Sequence, residues 1–295
     1  MTTEKDCLAA AEALTRLGGI ATRRELLALT TRRRLRAAVD AGDLIELGRS
    51  RLALPTADGA RCAAVRLGGT VSHLSAAQHW QWKVKLPPAR PTITVPRRRH
   101  GLAADDVELH WADLPAARVR DGVTCPVQTV IDCARTYDFD AALAVADSAL
   151  RAGVDRGELL AAAHASPRTG RGRAIRVIEA ADARAANPFE SVLRAIALEV
   201  PGLTVEPQQW VGDIGRADLM DRRLGLVIEA ESFEFHADSD SFGRDVRRYT
   251  GFARAGWIVV RFTWKEVMFD PDYVRAVLTD LVALGPRACL SHPAP

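Results

Sequence analysis

Cysteine is scarce in this sequence of 295 residues: Cys7, Cys62, Cys125, Cys133 and Cys289 are scattered and never spaced as CxxC. An odd, dispersed set argues against a disulfide framework and a cysteine-built zinc centre, and Cys125 and Cys133 read as small core hydrophobes. No apolar run approaches the ~18 residues of a membrane-spanning helix. The opening MTTEKDCLAA holds acidic residues and no apolar stretch, so it is not a secretory leader, and a cytoplasmic setting is expected with no membrane partner. Lysine is nearly missing: Lys5, Lys83, Lys85 and Lys265 aside, arginine carries the positive charge. His73, His79, His100 and His110 lack the i, i+4 spacing of helical metal ligands and read as structural.

What is present is an ordinary globular composition, 48% apolar and 26% charged. Length suggests about two domains, with three allowed. Net charge is only +3 but unevenly placed. Residues 1–120 hold 20 Lys and Arg against 12 Asp and Glu, and residues 121–295 hold 20 against 25. A basic front suits a polyanion, and an acidic back concentrates carboxylates.

The first 55 residues have a clear rhythm. KDCLAAAEALTRL is an amphipathic helix stopped by Gly18 and Gly19, and Thr22 with Glu25 forms a capping box opening a second helix. Thr30 or Thr31 caps a third, RRRLRAAVDA, closed by Gly42. LIEL and RLALP then form strands around a tight turn. Three helices and a hairpin predict a winged helix-turn-helix over 1–57. Arg32, Arg33, Arg34 and Arg36 open the helix that would meet DNA, and Arg49 and Arg51 occupy the wing. A solvated arginine face is the plainer alternative; coincidence with the right helix and a charged wing favours double-stranded DNA as partner.

Residues 58–185 read as a middle α+β domain with a flexible linker at SPRTGRGR, and TITV as a strand leading into Arg97, Arg98, Arg99 and His100. Trp80 and Trp82 point apart, so one is expected in the core and one at an interface. Residues 186–295 read helix, strand, strand, strand, helix, strand, helix: an α/β layer within an α+β whole, a small mixed sheet flanked by helices. Asn187 caps the first helix with Pro188 in its first turn. Trp257, Phe262 and Trp264 belong to the most apolar strand region and are expected in the core.

In LGLVIEAESFEFH an apolar strand runs into Glu229 and Glu231, which period-two alternation puts on one face. Two like charges there call for a metal ion, an arginine or open water. Asp218 lies near the end of the preceding strand, within cross-strand reach if DRRLG makes a hairpin, and Glu190 on the preceding helix can face the same spot. Oxygen ligands at a sheet edge suit Mg²⁺ or Mn²⁺. Ion pairs with Arg247 or Arg248 would also satisfy Glu229 and Glu231, and Glu190 also fits a plain first-turn acid.

With ESVLR on the helix, RADL and LVIEAESFEFH on the strands and GRDVRRYTGFARAGWIVVRFTWKEVM beyond, residues 186–270 resemble the Vsr-like branch of the PD-(D/E)xK restriction-endonuclease-like nucleases. The front half, with SHLSAAQHW and GVTCPVQTVIDCART, is similar to AbiEi-type antitoxins. The resemblance implies that Asp218 and Glu229 bind the catalytic cation, with Glu231 in the motif's lysine position as a third ligand and Glu190 in support. It places His236 to orient or deprotonate water, and Arg244 or Arg248 to hold the scissile phosphate. The implied chemistry is metal-dependent endonucleolytic hydrolysis serving defence or repair, and a homodimer would supply a second site for the second strand. The rival is a non-enzymatic, antitoxin-like transcriptional regulator with an inactive nuclease fold, kept open by the missing motif lysine. Replacing Arg33 and Arg34 with alanine is expected to weaken DNA binding and flatten its salt dependence in a binding titration; an unchanged slope would refute a DNA-contacting third helix.

Overall fold

The computed structural model describes residues 8–48, 50–101, 104–231 and 239–286. The fold is α+β, and the chain divides into two compact units, Met1–His79 with Pro88–Cys125 and Trp80–Pro87 with Pro126–Pro295. The segment 58–185 is therefore shared between the two. Among the described residues no helix is long and apolar enough to cross a membrane.

The first unit opens with α1 (Ala10–Arg16), β1 (Ile20–Thr22), α2 (Arg23–Leu26), α3 (Arg32–Asp40), β2 (Ile45–Glu46) and β3 (Arg51–Ala53). Strand β3 pairs antiparallel with both β1 and β2, which is the strand arrangement of a winged helix. The Thr22–Glu25 capping box starts α2, and Thr31 Oγ1 accepts the Arg34 N–H to start α3. Ala13, Leu14, Leu26, Leu35 and Leu52 close the core between these elements. There follow α4 (Gly59–Leu67), β4 (Thr70–Val71), α5 (His73–His79), β5 (Thr92–Val95), β6 (Glu108–Trp111), β7 (Val119–Arg120) and β8 (Val123–Thr124), with sheet order β6-β5-β4-β8-β7. All four residues of β5, the TITV strand, are buried.

The second unit begins with four helices: α6 (Pro126–Thr136), α7 (Phe139–Arg151), α8 (Arg156–Ala165) and α9 (Arg171–Ala180). The end of the expected linker, Arg171 to Arg173, is already helix α9, because Ala174, Val177 and Ile178 bury an apolar stripe that orders it. Trp82 and Cys133 are buried, whereas Trp80 and Cys125 are partly exposed.

Next come α10 (Pro188–Leu198), β9 (Glu206–Val211), β10 (Gly215–Asp221), β11 (Leu226–Glu231), α11 (Ser239–Arg254), β12 (Ile258–Thr263), α12 (Trp264–Phe269) and α13 (Pro271–Ala283). The sheet runs β12-β11-β10-β9, with β11 parallel to β12 and the other pairings antiparallel. One face packs Leu219, Leu226, Ile228 and Phe262 against Val192, Leu193 and Ile196 of α10, Val267 of α12 and Val274 and Leu278 of α13. The other face packs Met220 and Val227 against Phe252 of α11. Helix α12 is an addition to the expected series; Thr263 and Glu266 form its capping box. Its start lifts Trp264 out of the core, 44% exposed, against expectation.

Helix α10 is also tied to α7. Arg194 is 4% exposed and Asp147 fully buried, and Arg194 Nη2 lies 2.7 Å from both Asp147 oxygens. Arg194 Nη1 donates to the Ala180 carbonyl at 2.6 Å, and the Asp182 N–H donates to Asp147 at 2.7 Å. Asp147→Ala strands a buried guanidinium and is expected to cost about 3–5 kcal/mol in denaturant unfolding; a loss under about 1 kcal/mol would show that the pair does not hold the helices.

Candidate active site

Sequence-local chemistry places Glu190 first. Asn187 caps α10 by accepting the Glu190 N–H at 3.0 Å, and Asn187 Nδ2 donates back to Glu190 Oε1 at 2.8 Å. The Ala186 N–H donates to Oε2 at 2.8 Å. Glu190 is thus the first-turn acid of the plainer reading. It is also 5% exposed, and Oε2 accepts a second bond, from Gln208 Nε2 on β9 at 2.8 Å. The same nitrogen donates to Asp218 Oδ1 at 3.2 Å, so one amide links the helix carboxylate to the strand carboxylate.

Asp218 stands where the two central strands part. The β10–β11 pairing ends at Leu219 opposite Ile228. Beyond it the Asp218 side chain replaces a backbone acceptor, with Oδ2 taking the Ala230 N–H at 2.9 Å. The Asp218 N–H in turn reaches Glu229 Oε1 at 3.4 Å. Glu229 is 1% exposed, and its Oε2 lies 3.0 Å from Arg248 Nη2 on α11. Arg248 reaches this spot across Gly215: a Cβ there would lie 3.0 Å from Arg248 Cδ, tighter than carbon atoms normally pack.

Three carboxyls from three elements therefore lie close together; Arg248 pairs directly with Glu229, and the charge of Arg216 acts on Glu190 and Asp218. Burial, then the charge of Asp218, pushes the Glu190 carboxyl up to about 7. Burial and Asp218 push Glu229 up to about 8 against the pull of Arg248. Burial also raises Asp218, opposed by the Ala230 N–H and Arg248. The shifts arise first from burial and, for Glu190 and Glu229, then from the neighbouring Asp218 charge; a bound cation would oppose both.

The donor set fits a small hard cation. It is all oxygen, and Gln208 Oε1 is enclosed with no hydrogen-bond partner. Among the described residues no group of three or more His, Cys, Asp or Glu side chains stands in a metal-ligating arrangement. Mg²⁺ is commonly held by one or two carboxylates with water and substrate phosphate completing the shell, so Asp218 and Glu229 are the pair that would hold it.

Glu231 shares the face of Glu229, as alternation requires, but has other partners. Its Oε2 accepts the Tyr249 hydroxyl at 3.0 Å and Arg261 Nε at 2.9 Å, and both Arg248 and Arg261 lie over the Tyr249 ring. This aromatic and guanidinium stack holds Glu231 as half of an ion pair, in place of the third ligand position expected for it. Arg244 is exposed one turn before Arg248 on α11, and His236 lies outside the described residues. Gln208, Tyr249 and Arg261 went unread in the sequence. A neutral amide in a strand has no spacing signature, and the Glu231–Arg261 pair forms only when β11 and β12 align in parallel.

In the first unit, Arg32, Arg33 and Arg36 of α3 are exposed, as is Arg51 of β3. Arg34 is partly buried and donates to the Leu8 carbonyl at 3.3 Å, so it braces the domain. Arg36 Nε lies 4.0 Å from Asp40. Arg49 falls outside the described residues.

No family model matches the chain. It is 30% identical over 159 residues to the uncharacterized proteins MT2308 and Rv2248 of two Mycobacterium tuberculosis strains. The match covers 52% of this chain and 59% of each relative, so the chain spans about three-fifths of the curated relatives it matches. Among solved structures, the RV2827C protein from Mycobacterium tuberculosis is similar at 15% identity and a TM-score of 0.38, over 64% of this chain and 79% of that one.

The carboxyl shifts fix the sign of a pH effect. Glu190 and Glu229 hold their protons more tightly in the folded chain than at their ordinary value of 4.5. The stability they lend is complete below about pH 4.5 and is lost as pH rises through about 7 and 8. Calorimetric Tm of metal-free protein is expected to fall between about pH 5 and pH 9, and Glu229→Gln to flatten part of that fall. A wild-type profile that rises over this range would refute the crowding of charge.

Proposed function

We propose that the second unit is a metal-dependent nuclease that hydrolyses phosphodiester bonds with Mg²⁺ or Mn²⁺, and that the first unit binds double-stranded DNA through α3 and β3. The observation that carries this reading is the gathering of Glu190, Asp218 and Glu229 at the point where β10 and β11 separate, with Arg248 the one ion-pair partner of Glu229 among the described residues. Crowded carboxylates raise one another's proton affinity at a cost in stability, and such a cost is commonly kept for function. The likeness to Vsr-like nucleases in the order of ESVLR, RADL and LVIEAE supports the same assignment.

Each residue has a part that its contacts allow. Asp218 and Glu229 would hold the cation, which when bound supplies Lewis acidity at a phosphoryl oxygen and a lowered pKa for the attacking water. Glu190, its proton affinity near neutrality, is suited to exchange a proton with water at the site. Arg248, which pairs with Glu229, carries a guanidinium fork whose shape would suit a substrate phosphate. The buried Glu229 carboxyl, when ionised, is stabilised by such a counterion and otherwise holds its proton. In the first unit, exposed Arg32, Arg33 and Arg36 give α3 a cationic surface suited to phosphate and base edges.

The regulator reading draws on a specific observation as well: Arg248 pairs with Glu229 and Arg261 with Glu231, so both acids have a protein counterion. A cleavage assay with Mg²⁺ or Mn²⁺ on plasmid, linear duplex, single-stranded DNA and RNA separates the two. Metal-dependent cleavage is expected, reduced at least about 100-fold by Glu229→Ala, the scale on which one preorganised electrostatic group acts. DNA binding without cleavage of any substrate would establish the regulator instead.

A further inference from the structure

Four non-glycine residues among those described have a positive φ, and one of them, Gln208 at +57°, sits inside strand β9. Glutamine has no preference for the left-handed region, and such a residue persists only where its surroundings force it. The strand ladder records the disturbance. Pairing of β9 with β10 runs from Val211–Gly215 through Gln209–Ala217, then skips to Pro207–Leu219, omitting Gln208 and Asp218.

The side chain explains what the distortion achieves. Gln208 Nε2 donates to Glu190 Oε2 at 2.8 Å and to Asp218 Oδ1 at 3.2 Å. With Nε2 turned inward the amide donates to both carboxyls, the orientation that suits their ionised forms. That leaves Oε1 buried without a partner, a second unfavourable feature in one residue. An apolar β-branched residue would suit a strand better on packing grounds alone. Backbone strain and an orphaned acceptor are both retained, and what they secure is an amide between two carboxylates from different elements.

We propose that Gln208 is a positioning residue for cation binding, its single amide nitrogen setting the spacing of Glu190 and Asp218 and its Oε1 standing as a neutral acceptor for the water of a bound Mg²⁺. The inference rests on the nuclease reading and adds a residue that the nuclease motif does not contain. Without the amide, two like-charged groups on separate elements lose the donor that draws both inward, and repulsion moves them apart. The left-handed backbone is the means of aiming the amide: an extended residue at this point would restore the ladder with Asp218.

Two substitutions separate the amide from the backbone. Gln208→Ala removes the amide and keeps a Cβ on the left-handed backbone, whereas Gln208→Gly removes both the amide and the strain. Calorimetric titration with Mg²⁺, repeated with Mn²⁺, is expected to show binding about tenfold or more weaker in both, as for loss of an outer-shell partner. The glycine variant is expected to melt above the alanine variant, because it alone is released from the left-handed strain, while both bind the cations equally weakly. Cation affinity that follows the missing amide and not the melting temperature is a result that a purely structural glutamine cannot give. Wild-type affinity in both variants would overturn the role of Gln208 and leave the nuclease assignment standing, as would an affinity that recovers in the glycine variant along with its Tm. A wild-type chain that binds neither cation and cuts no nucleic acid would overturn the nuclease reading and this inference together.

Discussion

The position of the candidate site depends on an ion pair buried between two helices. Arg194 lies one turn after Glu190 on α10, and its guanidinium is fixed by Asp147 of α7 and the carbonyl of Ala180. Burial pushes the Asp147 carboxyl up while Arg194 and the Asp182 N–H draw it back, so the pair is held by geometry rather than by a large net gain. Its importance is positional. A helix slid by one turn would leave both charges desolvated and unpaired, and that penalty keeps α10 in a single register against the sheet. Glu190 is thereby delivered to the place where β10 opens.

That opening is the second constraint. A continuous antiparallel ladder would have gone on to set Asp218 opposite Glu229 and Ala217 opposite Ala230. Asp218 instead spends a side-chain oxygen on the Ala230 N–H, and the strands diverge beyond Leu219 and Ile228. Asp218 and Glu229 meet there, with Glu190 joined to Asp218 through Gln208. Counterions are rationed: Arg248 serves Glu229, and Arg261 with Tyr249 serves Glu231. Glu231 is therefore one side of the stack that props Tyr249 and, beside it, Arg248.

Much of this was legible in the residues because it is local. Asn187 before Pro188, Thr22 before Glu25 and the alternation of LVIEAE each carry their structural consequence within four or five positions, and each appears where the pattern puts it. The carboxylates Glu190, Asp218 and Glu229 could be gathered on paper because a hairpin turn fixes the neighbourhood of two of them. What resisted reading is set by tertiary pairing. Arg261 meets Glu231 only through the parallel crossover, Arg194 finds Asp147 across 47 positions, and nothing in EPQQW announces a left-handed glutamine. Thr263 and Glu266 offered a capping signal for α12, yet the apolar run through Trp264 masked it.

The kink in β9 has one more effect, on solubility. Among the described residues β9 is an outer strand of its sheet, the kind of border along which a neighbouring molecule can add a strand of its own. Pro207 has no N–H to offer such a newcomer, and the next residue, Gln208, turns its peptide groups out of the regular extended path. With Trp210 64% exposed on that same border, an uninterrupted strand there would be sticky as well as open. The distortion that points an amide inward also spoils the template outward, guarding the sheet against edge-to-edge aggregation.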